Sequence, residues 1–171
     1  MTFVHRDRAI FALCVAFCLG MFGLVLPNVA FAATFVTFDV PGAEGIDPSS
    51  INPAGVITGQ YGDGSRVHGF VRATNGTITT FDAPGSDRTF ALSINPAGVI
   101  TGFYRDGSGL HGFVRAADGT ITTFDAPGTG FFELARRLVG FSPAGVINPT
   151  GVITGAYDAG SGVPHGFVRT P

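Results

Sequence analysis

Histidine and aspartate recur at regular positions in this chain, and both side chains could carry chemistry. The histidines are His68, His111 and His165, and the aspartates are Asp39, Asp82 and Asp125. Three imidazoles related by a repeat would bind zinc if they converged to about 2.1 Å from the ion. Two carboxylates about 5–9.5 Å apart would suit the hydrolysis of a glycosidic bond.

Repetition favours a structural role for both residue types. Symmetric aspartates rarely obtain the two different environments that separate a general acid from a general base. Each aspartate is followed by x-Pro-Gly, which is typical of a turn that the carboxylate stabilises. The histidines lie in a strand that we do not expect to be innermost in its repeat, so convergence on a metal is not expected. We therefore predict no catalytic residue, no metal site and no cofactor, and assign all six residues to structural repeat positions.

The elements that position these residues form three repeats. Phe-Asp-x-Pro-Gly occurs at 38–42, 81–85 and 124–128, with a spacing of 43 both times. Ile-Asn-Pro-x-Gly-Val-Ile-Thr-Gly occurs at 51–59 and 94–102, and again at 147–155, which is 53 residues further on. His-Gly-Phe-Val-Arg follows in every repeat. The third repeat therefore holds about ten extra residues, between Gly128 and Ile147.

Each repeat predicts four short strands, named A to D, which in the middle repeat cover 90–94, 99–104, 110–116 and 120–125. Asn-Pro-Ala-Gly at 95–98 forms the A–B turn. Asp118-Gly119 predicts a two-residue C–D hairpin turn. That turn places Phe113 opposite Phe124 and puts His111 and Asp125 on different faces. A His–Asp contact would then join neighbouring repeats.

We predict an all-β fold: a propeller-like array of three four-stranded antiparallel meander blades, with a β-trefoil as the alternative. Short connections favour meanders, and sheets that are apolar on both faces favour stacked blades. The repeat units are about 43–85, 86–128, and 129–171 plus 33–42. The last repeat lacks strand D, so we expect the N-terminal strand, Thr34 to Val40, to complete the last blade by pairing with Gly166 to Arg169. Because propellers usually have four to eight blades, we also expect self-association, with a homodimer as one form.

Residues 1–32 have the layout of a secretory signal peptide. Arg6 and Arg8 precede an uncharged apolar run at 9–26, and Ala30-Phe31-Ala32 gives a cleavage site after Ala32 or Ala33. Cleavage removes both cysteines and leaves 33–171 as a single β-repeat domain. If the segment is not cleaved, it would act as a membrane anchor. We expect a secreted protein that is extracellular, periplasmic or at the cell surface.

Composition excludes one class of partner. The formal net charge is −2, and all 10 cationic side chains are arginines. A nucleic-acid binder would carry a basic patch, so no nucleic-acid partner is expected. The apolar fraction of 45% is that of a globular chain.

The repeats resemble the HAF family of extracellular repeats, which is named for a His-Ala-Phe motif. In the middle repeat the matching residues are Ile94-Asn95, Gly98, Ile100, Gly102 and His111-Gly112-Phe113, and the resemblance spans 34–171. Gly69, Gly112 and Gly166 stand where the family has alanine. The resemblance implies an exported β-rich repeat protein and no catalytic activity.

Charged residues predict where a partner binds. In a meander the D–A and B–C loops lie at one end, and this end holds most of the charges and the extra residues of the third repeat. We predict a non-enzymatic binding or surface-structural module for an unknown extracellular ligand. The alternative is a secreted hydrolase acting on polysaccharide through loop-end carboxylates. The candidate binding residues are Arg66, Arg88, Arg105, Phe131, Phe132, Arg136 and Arg137.

Overall fold

The computed structural model describes residues 33–126, 145–158 and 163–171. Within these ranges the chain is all-β, and the compact β unit begins at Phe38. The strands are β1 (Gly45–Ile51), β2 (Ile57–Gly62), β3 (Val67–Arg72), β4 (Ile78–Phe81), β5 (Arg88–Ile94), β6 (Ile100–Arg105), β7 (Leu110–Arg115), β8 (Ile121–Phe124), β9 (Val146–Ile147), β10 (Ile153–Asp158) and β11 (Pro164–Arg169).

The first two repeats form consecutive antiparallel meanders, β1 to β4 and β5 to β8. A single parallel pair, Val67 with Arg88, joins them into one mixed eight-stranded sheet. The third repeat gives a separate sheet in the order β11–β10–β9. The all-β class and the meander pairing predicted from the repeats are therefore confirmed for the described residues.

Two buried glycines explain the Ile-Thr-Gly sequence of strands β2 and β6. A Cβ on Gly102 would overlap the backbone oxygen of Phe90, and one on Gly59 would overlap that of Asp47. The adjacent threonine is fully buried and donates its hydroxyl to the next strand, as Thr101 does to the carbonyl of Phe113 at 3.1 Å. Only glycine fits where the first two strands of a meander approach this closely.

Asparagine links successive repeats at the Ile-Asn-Pro-x-Gly turns. Asn95 Oδ1 accepts from the backbone N–H of Val99 at 2.9 Å, which secures the turn. Its Nδ2 donates across to the backbone oxygen of Asn148 at 3.4 Å. Asn52 is arranged in the same way and donates to the backbone oxygen of Asn95 at 3.3 Å. One side chain therefore closes its own turn and binds the next repeat.

Phenylalanine provides the apolar link between the same repeats. Phe81, at the end of strand β4, packs edge-on against Phe113, with 5.9 Å between ring centroids, and Arg115 lies over its ring at 5.0 Å. Phe38 and Phe70 repeat this contact at 6.2 Å, and Phe124 and Phe167 at 6.3 Å. The phenylalanine of each Phe-Asp motif thus packs on the His-Gly-Phe-Val-Arg strand of the following repeat.

The predicted C–D hairpin register is wrong by one residue. The hairpin closes at Arg115 and Ile121, with Gly112 opposite Phe124 and Phe113 opposite Thr123. The loop is longer than two residues, because the N–H of Ala116 donates to Thr120 and that of Gly119 donates back to Ala116. Gly119 takes a φ of 97°, as in a three-residue loop with a glycine bulge.

The predicted pairing of the N-terminal strand with the last blade is also wrong. No strand is assigned within 33–44, and within the described ranges β11 pairs with β10. Phe38 instead packs on Phe70 of the first repeat, beneath Arg72 at 4.9 Å. Phe38 therefore packs on the first repeat in the way that Phe81 packs on the second.

Candidate functional site

The His-Gly-Phe and Phe-Asp motifs meet within one repeat. His68 Nδ1 lies 2.9 Å from Asp82 Oδ1, and His111 Nδ1 lies 2.6 Å from Asp125 Oδ1. The expectation that such contacts would run between neighbouring repeats is therefore wrong. The one-residue shift of the hairpin brings the histidine and the aspartate to the same face.

The second nitrogen of the His68 and His111 imidazoles faces the B–C loop. His68 Nε2 lies 3.2 Å from Asp63 Oδ2, and His111 Nε2 lies 3.2 Å from Asp106 Oδ1. Ser108 Oγ is a further neighbour of His111 Nε2, at 2.9 Å. His68 and His111 therefore each join the end of strand D to the B–C loop of their own repeat.

The loop aspartates are held as carboxylates by their own turns. Asp63 Oδ1 accepts from the backbone N–H groups of Arg66 and Ser65, and these bonds lower the pKa of Asp63 well below its usual value. The hydroxyl and then the backbone N–H of Ser108 lower the pKa of Asp106 to about 2. Both side chains are saturated with local donors, as in Asx turns.

Two carboxylates favour the protonated form of His68. Burial lowers the pKa of His68, but the hydrogen bonds to Asp63 and Asp82 outweigh burial, so that its pKa is raised above 6.5. An imidazolium has two N–H donors and satisfies both carboxylates, whereas a neutral ring donates to only one. The cluster is therefore a charge-assisted brace between strand D and the loop.

A tyrosine completes each cluster, although no tyrosine is among the site residues predicted from the sequence. Tyr61 stacks on His68 and Tyr104 on His111, both with 5.1 Å between ring centroids, and Tyr157 lies 5.5 Å from His165. The sequence does contain a signal for this contact, because its three tyrosines each stand near the end of the second strand of a repeat. Burial raises the pKa of Tyr104.

The predicted binding arginines lie at the D–A and B–C end of the meanders. Arg66 and Arg88 are exposed and line one cavity of about 370 Å³, together with Glu44. Arg105 is the strand partner of Arg88 and lies 3.8 Å from Asp87. The structure thus brings Arg66 and Arg88 together around a groove. Four further candidates lie outside the described residues: Phe131, Phe132, Arg136 and Arg137.

The six predicted structural positions divide into two sets. His68, Asp82, His111 and Asp125 form the two braces. Asp39 and His165 are exposed at opposite ends of the series of repeats. Among the described residues, no group of three or more His, Cys, Asp or Glu side chains is arranged to hold a metal ion.

Comparison with protein-family models, with curated proteins and with solved structures gives no match for this chain. The resemblance to the HAF repeats stays a prediction. In the described part of the chain, no helix is long and apolar enough to cross a membrane. The predicted signal peptide, 1–32, lies outside the described residues.

Proposed function

We propose that this chain is an exported, non-enzymatic β-repeat module that binds an acidic extracellular polysaccharide at its D–A and B–C loop end. The observation that carries the proposal is the groove lined by Arg66, Arg88 and Glu44. Within the described ranges, neither arginine has a carboxylate at salt-bridge distance, so both guanidinium groups are available to a ligand. Guanidinium groups favour carboxylate and sulfate because they donate in a fork that matches these anions.

The setting of the aspartates favours binding over hydrolysis. Asp82 and Asp125 occupy matching positions, each bonded to the histidine of its own repeat. A glycosidase needs two carboxylates in unlike environments across one cleft. The loop aspartates, Asp63 and Asp106, are likewise matched and engaged by local donors. Hydrolysis of a polysaccharide is therefore the alternative that the binding experiment below also tests.

For the architecture, we infer a propeller-like array in preference to a β-trefoil. Each repeat is a plain meander, and the turns after the first strands bond to one another through Asn52 and Asn95. Adjacent first strands are also typical of blades around a common axis.

The binding test uses alginate and dextran sulfate as acidic probes and neutral dextran as the control. We expect the protein to bind the acidic polymers, and Arg66→Ala combined with Arg88→Ala to weaken binding at least tenfold. Asp118→Ala, in the exposed turn at the other end, is the matched control and should bind as the parent does. Binding that survives the arginine pair, or release of reducing ends from alginate, would overturn the proposal.

A further inference from the structure

The interface between neighbouring repeats is built twice from equivalent residues. Val71 of the first repeat packs against a cluster that contains Ile94 and Ile100 of the second. Val114 of the second repeat packs in the same way against Ile147 and Ile153 of the third. Ile94 and Ile147 are each only 6% exposed as a result.

One half of this interface is left open on the first repeat. Ile51 is the equivalent of Ile94 and Ile147, yet it is 64% exposed. Asp39 is the equivalent of Asp82 and Asp125, but among the described residues no histidine lies at hydrogen-bond distance from it, whereas the other two aspartates each bond one. Together with Phe38, Ile51 and Asp39 define what we call the start face.

The complementary half is left open on the third repeat. Val168 is the equivalent of Val71 and Val114, yet it is 72% exposed. Val146, which stands where the other repeats have Ser50 and Ser93, is 59% exposed and adds apolar area. Val146, Val168 and Gly166, together with His165 on the other side of strand β11, define what we call the end face.

The space beside Gly166 on the end face is open, whereas the equivalent glycines of the other repeats contact a phenylalanine ring. A Cβ on Gly69 would lie 2.6 Å from the ring of Phe81, and one on Gly112 would overlap the ring of Phe124. A Cβ on Gly166 would have no heavy atom within 4 Å. Among the described residues, no carboxylate lies at hydrogen-bond distance from the ring of His165, whereas His68 bonds Asp82 and His111 bonds Asp125.

We propose that the end face of one chain binds the start face of a second copy of the same chain. In this contact Phe38 of the second copy covers Gly166, its Asp39 bonds His165, and its Ile51 packs against Val168. The second copy is the occupant because its start face carries the Phe-Asp motif and the isoleucine that every internal interface uses. This contact does not involve the arginine groove, so it stands independently of the binding proposal.

The contact is heterologous, because two different faces of the chain meet. Its smallest closed assembly is a dimer in which each end face meets the start face of the other chain. We therefore expect light scattering of the purified protein at micromolar concentrations to give twice the mass of one chain. A strictly monomeric particle at these concentrations would overturn the proposal.

Two single variants should each abolish the closed dimer. Gly166→Val fills the space that Phe38 of the second copy would occupy. The new side chain contacts nothing in its own chain, because no heavy atom lies within 4 Å of a Cβ at this position. Ile51→Asp places a charge at the centre of the start face. Gly107→Val is the matched control, because a Cβ there also meets open space, but in a B–C loop. Unchanged unfolding curves under dilute conditions show that the variants are folded.

Mixing the two variants separates head-to-tail from face-to-face association. Gly166→Val retains an intact start face, and Ile51→Asp retains an intact end face. We expect each to be monomeric alone and the equimolar mixture to form a 1:1 heterodimer. Variants that remain dimeric alone, or a mixture that remains monomeric, would contradict the proposed contact.

Discussion

Phe81 and Phe113 lie edge to face, with 5.9 Å between ring centroids and 73° between ring planes, although they belong to different repeats. The contact explains two motifs at once. Phe81 lies over Gly69 in its own meander and against Phe113 in the next, so one side chain packs in two successive repeats. Glycine in His-Gly-Phe makes room for the ring, and the phenylalanine that follows receives the ring from the preceding repeat.

Removing Phe113 should destabilise the domain strongly. Its side chain is fully buried in the core of the second repeat, so Phe113→Ala should cost about 3–5 kcal/mol in the free energy of unfolding. Urea unfolding measures this cost. Phe35→Ala is the control, because Phe35 is 91% exposed. Equal stability of the two variants would show that the ring contacts contribute little.

The asparagine side chains that link the repeats should contribute more to the free energy of unfolding than an asparagine in an ordinary exposed turn. Asn95→Ala removes a buried side chain that bonds both the N–H of Val99 and the backbone oxygen of Asn148 in the next repeat. We expect a loss of about 1–3 kcal/mol. Asn75→Ala removes one exposed turn bond, to the N–H of Thr77, and should cost less in the same urea experiment. A larger loss of stability for Asn75→Ala than for Asn95→Ala would show that the Asn95 side chain does not help to join the repeats.

Gly102 should not tolerate a side chain. Gly102→Ala places a Cβ against the backbone oxygen of Phe90, which moves only if the strand moves. Overpacking of this kind costs about 1–3 kcal/mol, visible as a lower thermal midpoint. Gly107→Ala is the matched control, since its Cβ meets open space. A Gly102→Ala variant as stable as this control would refute the close approach of β5 and β6.

Stability should fall as pH rises through the neutral range. The pKa of His68 is raised above 6.5 in the folded state, so its contribution is full below the unfolded value and is lost as pH passes the folded one. Asp63 and Asp106 have lowered pKa values and affect stability only in acid. We expect the urea midpoint to decrease between about pH 6 and pH 8, and less so in His68→Gln. An identical pH slope in that variant would exclude His68 as the cause.

The sequence predicted local structure well because local chemistry determines it. Asn-Pro-x-Gly defines its turn through bonds within a few residues, as the Asn95 turn shows. The predicted register of the C–D hairpin is wrong because Asp118-Gly119 is compatible both with a two-residue loop and with a longer loop that has a glycine bulge. The choice depends on packing: the longer loop allows Phe124 to lie over Gly112 and Asp125 to reach His111.

Long-range relations were harder to predict, because a repeat does not reveal where its structural unit begins. The repeat pattern predicts that Phe38 belongs to a strand that completes the last repeat. In the structure it begins the unit that contains Phe70, since its ring needs the Phe70 and Arg72 surface beneath it. The sequence predicts that Arg66 and Arg88 lie at the charged end of the meanders, but it does not predict the groove between them. The groove depends on how the first two repeats are placed side by side.

The central claim is that the phenylalanine ring of each Phe-Asp motif packs on the His-Gly-Phe strand of the repeat that follows it. Nuclear Overhauser effects between aromatic rings test this claim most directly, at a dilution where the chain is monomeric. We predict cross-peaks from the ring of Phe38 to that of Phe70, and from Phe81 to Phe113. Cross-peaks from Phe38 to Phe167 in the monomer, with none to Phe70, would contradict the account.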